Sequence, residues 1–149
     1  MKENSGVYSF LRARLAGILL FFPGVFILGL ARSLTPDPAG IGTHQQLGLM
    51  ECGFITMFNM PCPMCGMTTT FTHLAHFQFW EGFVNQPYGT FLFFLNIYTI
   101  YIGFLELISP NKRHVAFIRM LEKREMWTMV ILGGGLILSW FYKISIYNF

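Results

Sequence analysis

The stretch Met50 to Met67, MECGFITMFNMPCPMCGM, holds all three cysteines of the chain and five of its nine methionines. The cysteines are spaced Cys52-x9-Cys62-x2-Cys65, and such a set ends as a metal site, a disulfide or a buried reduced cluster. Two cysteines separated by two residues, as in Cys62-Pro63-Met64-Cys65-Gly66, form a tight knuckle in which both sulfurs can point at one ion. Cys52 supplies a third ligand. Tetrahedral zinc needs a fourth, and His44 is the first candidate because a loop residue can fold back onto the knuckle. His76 or His73 comes second: His76 lies about three helical turns from Cys65, about 16 Å along a straight helix. A Cys3His zinc site is thus chemically complete within the chain, and in so small a unit its binding energy is also folding energy.

Other chemistries compete for the same residues. Cys-x-x-Cys is the arrangement of thiol–disulfide exchangers, and an oxidising compartment would favour a Cys62–Cys65 bridge with Cys52 as a resolving or partner thiol. No thioredoxin-like alternation of strand and helix surrounds the pair. Thioether with thiolate selects Cu(I), which raises copper handling by Met50, Met57, Met60, Met64 and Met67. Methionine is also an ordinary filler of apolar, lipid-adjacent sequence, so packing accounts for most of them. His73 and His76, three residues apart on a helix, could share an ion or a haem edge, but no CxxCH exists for covalent haem. Glu51, Glu81 and Asp37 form no acid/base pair, and neither a Ser/His/Asp set nor a phosphate loop is present. No enzyme class follows.

The elements that position these residues belong to a membrane protein. Of 149 residues 54% are apolar, 17% aromatic and 11% charged, against about 25% charged in a soluble domain. Three segments can span a bilayer. The first is Leu15 to Ala31, flanked by Arg12, Arg14 and Arg32, with a kink expected at Pro23-Gly24; a cleaved signal peptide is the lesser alternative. Tyr88 to Ile108 is the second, bounded by Pro87 and Ser109-Pro110. Met126 to Tyr147 is the third, with Gly133-Gly134-Gly135 able to admit a neighbouring helix, a partner protein's included. Glu106 and Lys143, near span ends, are expected to snorkel to the interface. One membrane domain over 1–149 is the expectation.

Charge asymmetry orients the chain. Lys2, Arg12 and Arg14 precede span one, and Lys112, Arg113, Arg119, Lys123 and Arg124 join spans two and three, whereas the segment 32–87 carries Arg32 alone. The positive-inside rule places both basic regions, and the N-terminus, in the cytoplasm and the cysteines outside. A net charge of +3 is too small and too dispersed to argue for nucleic acid. Within the outer segment, the prolines and glycines between Pro36 and Gly42 predict a surface loop. From Leu47, LGLMECGFITMFNM is too apolar for a solvated loop and too short to span, so an interfacial or re-entrant placement is expected. MTTTFTHLAHFQFWEGF predicts one helix, capped by Thr68, Thr69 or Thr70, with Met67, Phe71 and Leu74 on one face and Trp80 suited to headgroups.

Cys52, a nine-residue spacer, Cys62-Pro63-x-Cys65-Gly66-x-Thr68, Leu74-Ala75-His76 and Asn85-x-Pro87-x-Gly89 together resemble a family of small bacterial integral membrane proteins defined by a CPxCGxT motif, with no assigned activity. His44-x-x-Leu47-Gly48-Leu49 is similar to a subset of its members. The resemblance covers about His44 to Gly89 and implies architecture and a bacterial inner membrane, not a function. The expected fold is therefore an all-α membrane protein with three transmembrane helices and an interfacial or re-entrant Cys-rich helical segment. Its Cys52, Cys62, Cys65 and His44 would form a structural zinc-like or thiol site. A thiol–disulfide oxidoreductase or copper-handling protein is one alternative, and a non-catalytic accessory subunit of a membrane complex is the other.

Overall fold

The computed structural model describes residues 3–109 and 125–146, and among them no strand occurs. The helices are α1 (Glu3–Ser33), α2 (Gly53–Phe58), α3 (Met67–Ala75), α4 (Phe79–Asn85), α5 (Pro87–Ile108) and α6 (Glu125–Ile146), with a 3₁₀ turn at Thr43–Leu47. Three of them are long and apolar enough to cross a membrane, over Phe10–Ser33, Pro87–Ile108 and Met126–Ile146. The second and third match the expected segments closely. The first is longer: α1 begins well before Leu15, where Arg14 lies 4.8 Å above the Phe10 ring one turn earlier, a cation–π contact that supports that turn. Lys2, the basic residues 112–124 and Tyr147 lie outside the described residues.

The chain divides into two compact units, 1–27 with 94–128 and 28–93 with 129–149. In the first, α1 and α5 approach through small residues. A methyl group added at Gly17 would meet the Gly103 carbonyl at 3.1 Å, and one at Gly103 would meet the Phe21 nitrogen at 2.7 Å. Backbones this close replace the hydrophobic drive that lipid cannot supply. Asn96 Nδ2 adds a hydrogen bond to the Gly24 carbonyl at 3.3 Å. The glycines of the third span could either admit a helix or simply face lipid; among the described residues nothing stands within 4 Å of a methyl at Gly133 or Gly134, and the Tyr88 ring approaches Gly135.

The second unit holds the cysteines. Its expected single helix from Met67 is broken: α3 stops at Ala75 and α4 begins at Phe79. Phe77 adopts a left-handed φ of 63°, the Phe77 amide donates to the Leu74 carbonyl at 3.1 Å, and the Gln78 amide to the His73 carbonyl at 2.9 Å. This is a Schellman stop with phenylalanine where glycine is usual. The threonines do not cap. Gly66 is the N-cap of α3, while Thr69, Thr70 and Thr72 are buried beside Leu74. Thr69 shares a 2.8 Å hydroxyl bond with Thr43, Thr70 accepts from Asn85 Nδ2 at 2.9 Å, and Thr72 donates to the Thr68 carbonyl at 2.8 Å. Glu106 and Lys143 do not snorkel; they are 0% and 3% exposed. Lys143 stays inside because carbonyl and amide oxygens of Gly40 and Asn85 receive its ammonium.

Candidate metal centre

The knuckle is a chain of turns. The Cys65 amide donates to the Cys62 carbonyl at 2.9 Å and the Met67 amide to the Met64 carbonyl at 3.1 Å. Gly66 then takes φ 87° to enter α3. A methyl there would stand 2.7 Å from the Gly40 carbonyl, so both the conformation and the space require glycine. Three side chains from elsewhere in the second unit grip the carbonyls of this turn. Trp140 Nε1 donates to Pro61 at 2.8 Å, Gln86 Nε2 to Pro63 at 3.2 Å, and Asn85 Nδ2 to Gly66 at 3.1 Å. Pro61, Gln86 and Cys65 are buried with them.

Cys52 reaches the same place from the other side as the N-cap of α2, with extended backbone at φ −61°, ψ 116°. The sulfurs of Cys52, Cys62 and Cys65 all lie within 4.8 Å of one another, and all three are free thiols. Two thiolates on one tetrahedral zinc, each at about 2.3 Å, stand about 3.8 Å apart, so the cluster fits an ion with a shift of about 1 Å per sulfur pair. Three cysteines so placed could hold a metal such as zinc.

The cluster's protons are unequal. Burial pushes the Cys52 thiol up, but hydrogen bonding from Cys65, the amides of Phe54 and Ile55, and Cys62 outweigh it and bring Cys52 down to about 7. Cys65 moves the other way, raised first by burial and then by donating its S–H to Cys62 and Cys52. The cluster therefore favours its thiolate at Cys52 over Cys65.

His44 lines the same cavity of about 640 Å³ as the three cysteines but lies outside the close sulfur group. Its Nε2 donates to the Met50 carbonyl at 3.2 Å. Neither second-choice histidine joins them. His76 accepts from Arg32 at Nδ1, 3.3 Å, and donates from Nε2 to the Leu34 carbonyl at 2.9 Å; His73 Nδ1 donates to Gln78 Oε1 at 2.6 Å. Both are structural. Met64 and Met67 also line the cavity, whereas Met50 and Met57 are among the most exposed apolar residues. Sequence reasoning did not find Gln86 and Trp140, and it named Asn85 and Lys143 without their roles at the knuckle. Asn85 and Gln86 directly precede the helix-opening Pro87, where two amides in an apolar stretch were the available signal.

These features define the class: a multi-pass, all-helical membrane protein carrying a cluster of three thiols that could hold a metal ion. A family model described as a protein of unknown function, DUF2752, matches residues 52–100, from the first cysteine into α5. No curated protein and no solved structure matches the chain.

Proposed function

We propose that the protein is a small bacterial inner-membrane protein, a single membrane domain over 1–149, whose extracytoplasmic segment is organised by a structural zinc-like centre. Its ligands are Cys52, Cys62, Cys65 and His44. The observation that carries this reading is the mutual 4.8 Å approach of three sulfurs drawn from two separate turns. Support for His44 comes from its hydrogen bond to Met50: donating from Nε2 leaves the lone pair on Nδ1, the arrangement by which protein backbones orient metal-binding imidazoles. Orientation rests on the basic residues that flank the spans but are absent between Ser33 and Pro87. The family resemblance of the CPxCGxT motif supports the bacterial setting.

The test is metal content with thiol counting. Purified protein should bind about one zinc, with all three thiols shielded from thiol reagents until a chelator is added. His44→Ala should lower affinity, and His76→Ala should leave it unchanged. In cells, with the native cysteines replaced, a new cysteine at Asp37 should react with an impermeant maleimide, and one at Asn111 only after permeabilisation. A zinc-free protein with a Cys62–Cys65 disulfide would favour the second reading, a thiol–disulfide oxidoreductase, for which the lowered Cys52 thiol is the supporting observation. Titration with Cu(I) tests copper handling through Met64 and Met67. An accessory role would use Gly133 and Gly134 of the third span as the surface for a partner helix, within the bilayer.

A further inference from the structure

Lys143 is a costly residue to place. It lies in a helix apolar enough to cross a membrane and is 3% exposed, and an interior ammonium persists only if hydrogen-bonded and electrically compensated. Its hydrogen bonds are complete: Nζ donates to Asn85 Oδ1 at 2.7 Å, the Gly40 carbonyl at 3.1 Å and the Asn85 carbonyl at 3.4 Å. Three donors meet three acceptors, and none of the acceptors is charged. The adjoining cavity of about 710 Å³, which Lys143 lines with His73, Trp80 and Glu81, therefore gains no free N–H for an anion.

Asp37 and Glu81 line the same cavity, but among the described residues the ammonium donates only to oxygens of Gly40 and Asn85. A methyl added to Gly66, the residue after Cys65, would stand 3.1 Å from Nζ, so the ammonium abuts the knuckle. Asn85 links the two further: one amide end accepts from Lys143, and the other donates to the Gly66 carbonyl and to Thr70. No lysine or arginine occurs between Ser33 and Pro87, so the segment that bears the cysteines supplies no cation of its own. Three thiolates, a neutral imidazole and a divalent ion carry one net negative charge, which a low-dielectric site tolerates poorly.

We propose that Lys143 is the fixed counter-charge and positioning residue of the cysteine cluster: its buried ammonium neutralises the metal–tristhiolate unit and, through Asn85, sets the end of the knuckle. This rests on the metal reading above, and the experiment separates the two. Zinc affinity by chelator competition and the cobalt-thiolate absorption spectrum are measured for the unmutated full chain, Lys143→Met and Lys143→Arg. The expected result is a loss of about 10–100-fold in zinc affinity for Lys143→Met, with the cobalt band positions unchanged and most of the affinity restored in Lys143→Arg. Unmutated affinity in Lys143→Met overturns the counter-charge, as does an equal loss in Lys143→Arg, which would make the role one of shape. An unmutated chain that binds neither zinc nor cobalt overturns both readings together. Should Lys143→Met fail to fold, the side-chain 15N resonance of Lys143 in the unmutated protein decides: it must shift on zinc loading, and an unmoved resonance overturns the proposal.

Discussion

The two halves of the cysteine cluster are built differently. Cys62 and Cys65 sit on a turn whose carbonyls at Pro61, Pro63 and Gly66 are each held by a side chain from a distant element. Cys52 opens a six-residue helix in which no residue is buried and no side chain closes the cap; its Phe54, Met57 and Phe58 are exposed. Few buried contacts mean a small free energy of local opening. The knuckle is therefore a preset floor, and the Cys52 arm is a wall that a shared ion would hold in place.

The sharpest way to break this contrast is thiol reactivity in the metal-free protein. The thiolate is the reacting species, so alkylation of Cys52 by iodoacetamide should climb as pH rises through about 7 and level off above it. Cys65, whose thiol is pushed up by burial and by bonds to the other two, should lag by on the order of 100-fold near neutral pH. Mass spectrometry of the labelled sites reads the ratio, and equal rates would erase the distinction. A smaller effect comes from two left-handed glycines. Gly66 and Gly48 have φ of 87° and 74°, but a methyl at Gly66 strikes the Gly40 carbonyl while one at Gly48 meets nothing within 4 Å among the described residues. Gly48→Ala should cost about 1 kcal/mol from backbone strain alone, and Gly66→Ala about 2 kcal/mol more from overlap, read by unfolding in detergent. Next comes the loss of a single grip: Trp140→Phe should cost about 1 kcal/mol through the freed Pro61 carbonyl. Phe54→Leu on the exposed arm should stay within about 0.5 kcal/mol. A larger loss for Phe54→Leu would show that the arm is anchored after all.

The cluster was legible from sequence because sulfur is rare and the Cys-x-x-Cys spacing is local. The spans were legible because composition over twenty residues overrides detail. What was not legible depends on contacts distant in sequence. Lys143 is separated from Asn85 by 58 positions and from Gly40 by 103, and without knowing that those oxygens converge on it, snorkelling was the reasonable expectation. The break at Phe77 escaped notice because stops of this kind are signalled by glycine, and here phenylalanine accepts the left-handed backbone while its ring packs edge-on to Phe79, centroids 6.2 Å apart. The threonines of α3 looked like caps because several sit at its start. Their burial follows from hydroxyl and amide partners on the Thr43 turn and on α4.

The grip of Trp140 on Pro61 spans 79 positions, which has a consequence in time. A ribosome adding about 5–20 residues per second delivers Trp140 about 4–16 s after Pro61. During that interval the cysteine turn lacks its latch, and Lys143, three residues further on, has yet to arrive. Completion of the turn's hydrogen bonding is thereby tied to synthesis of the last span, and a chain stalled before α6 would leave the Pro61 carbonyl without its Trp140 donor.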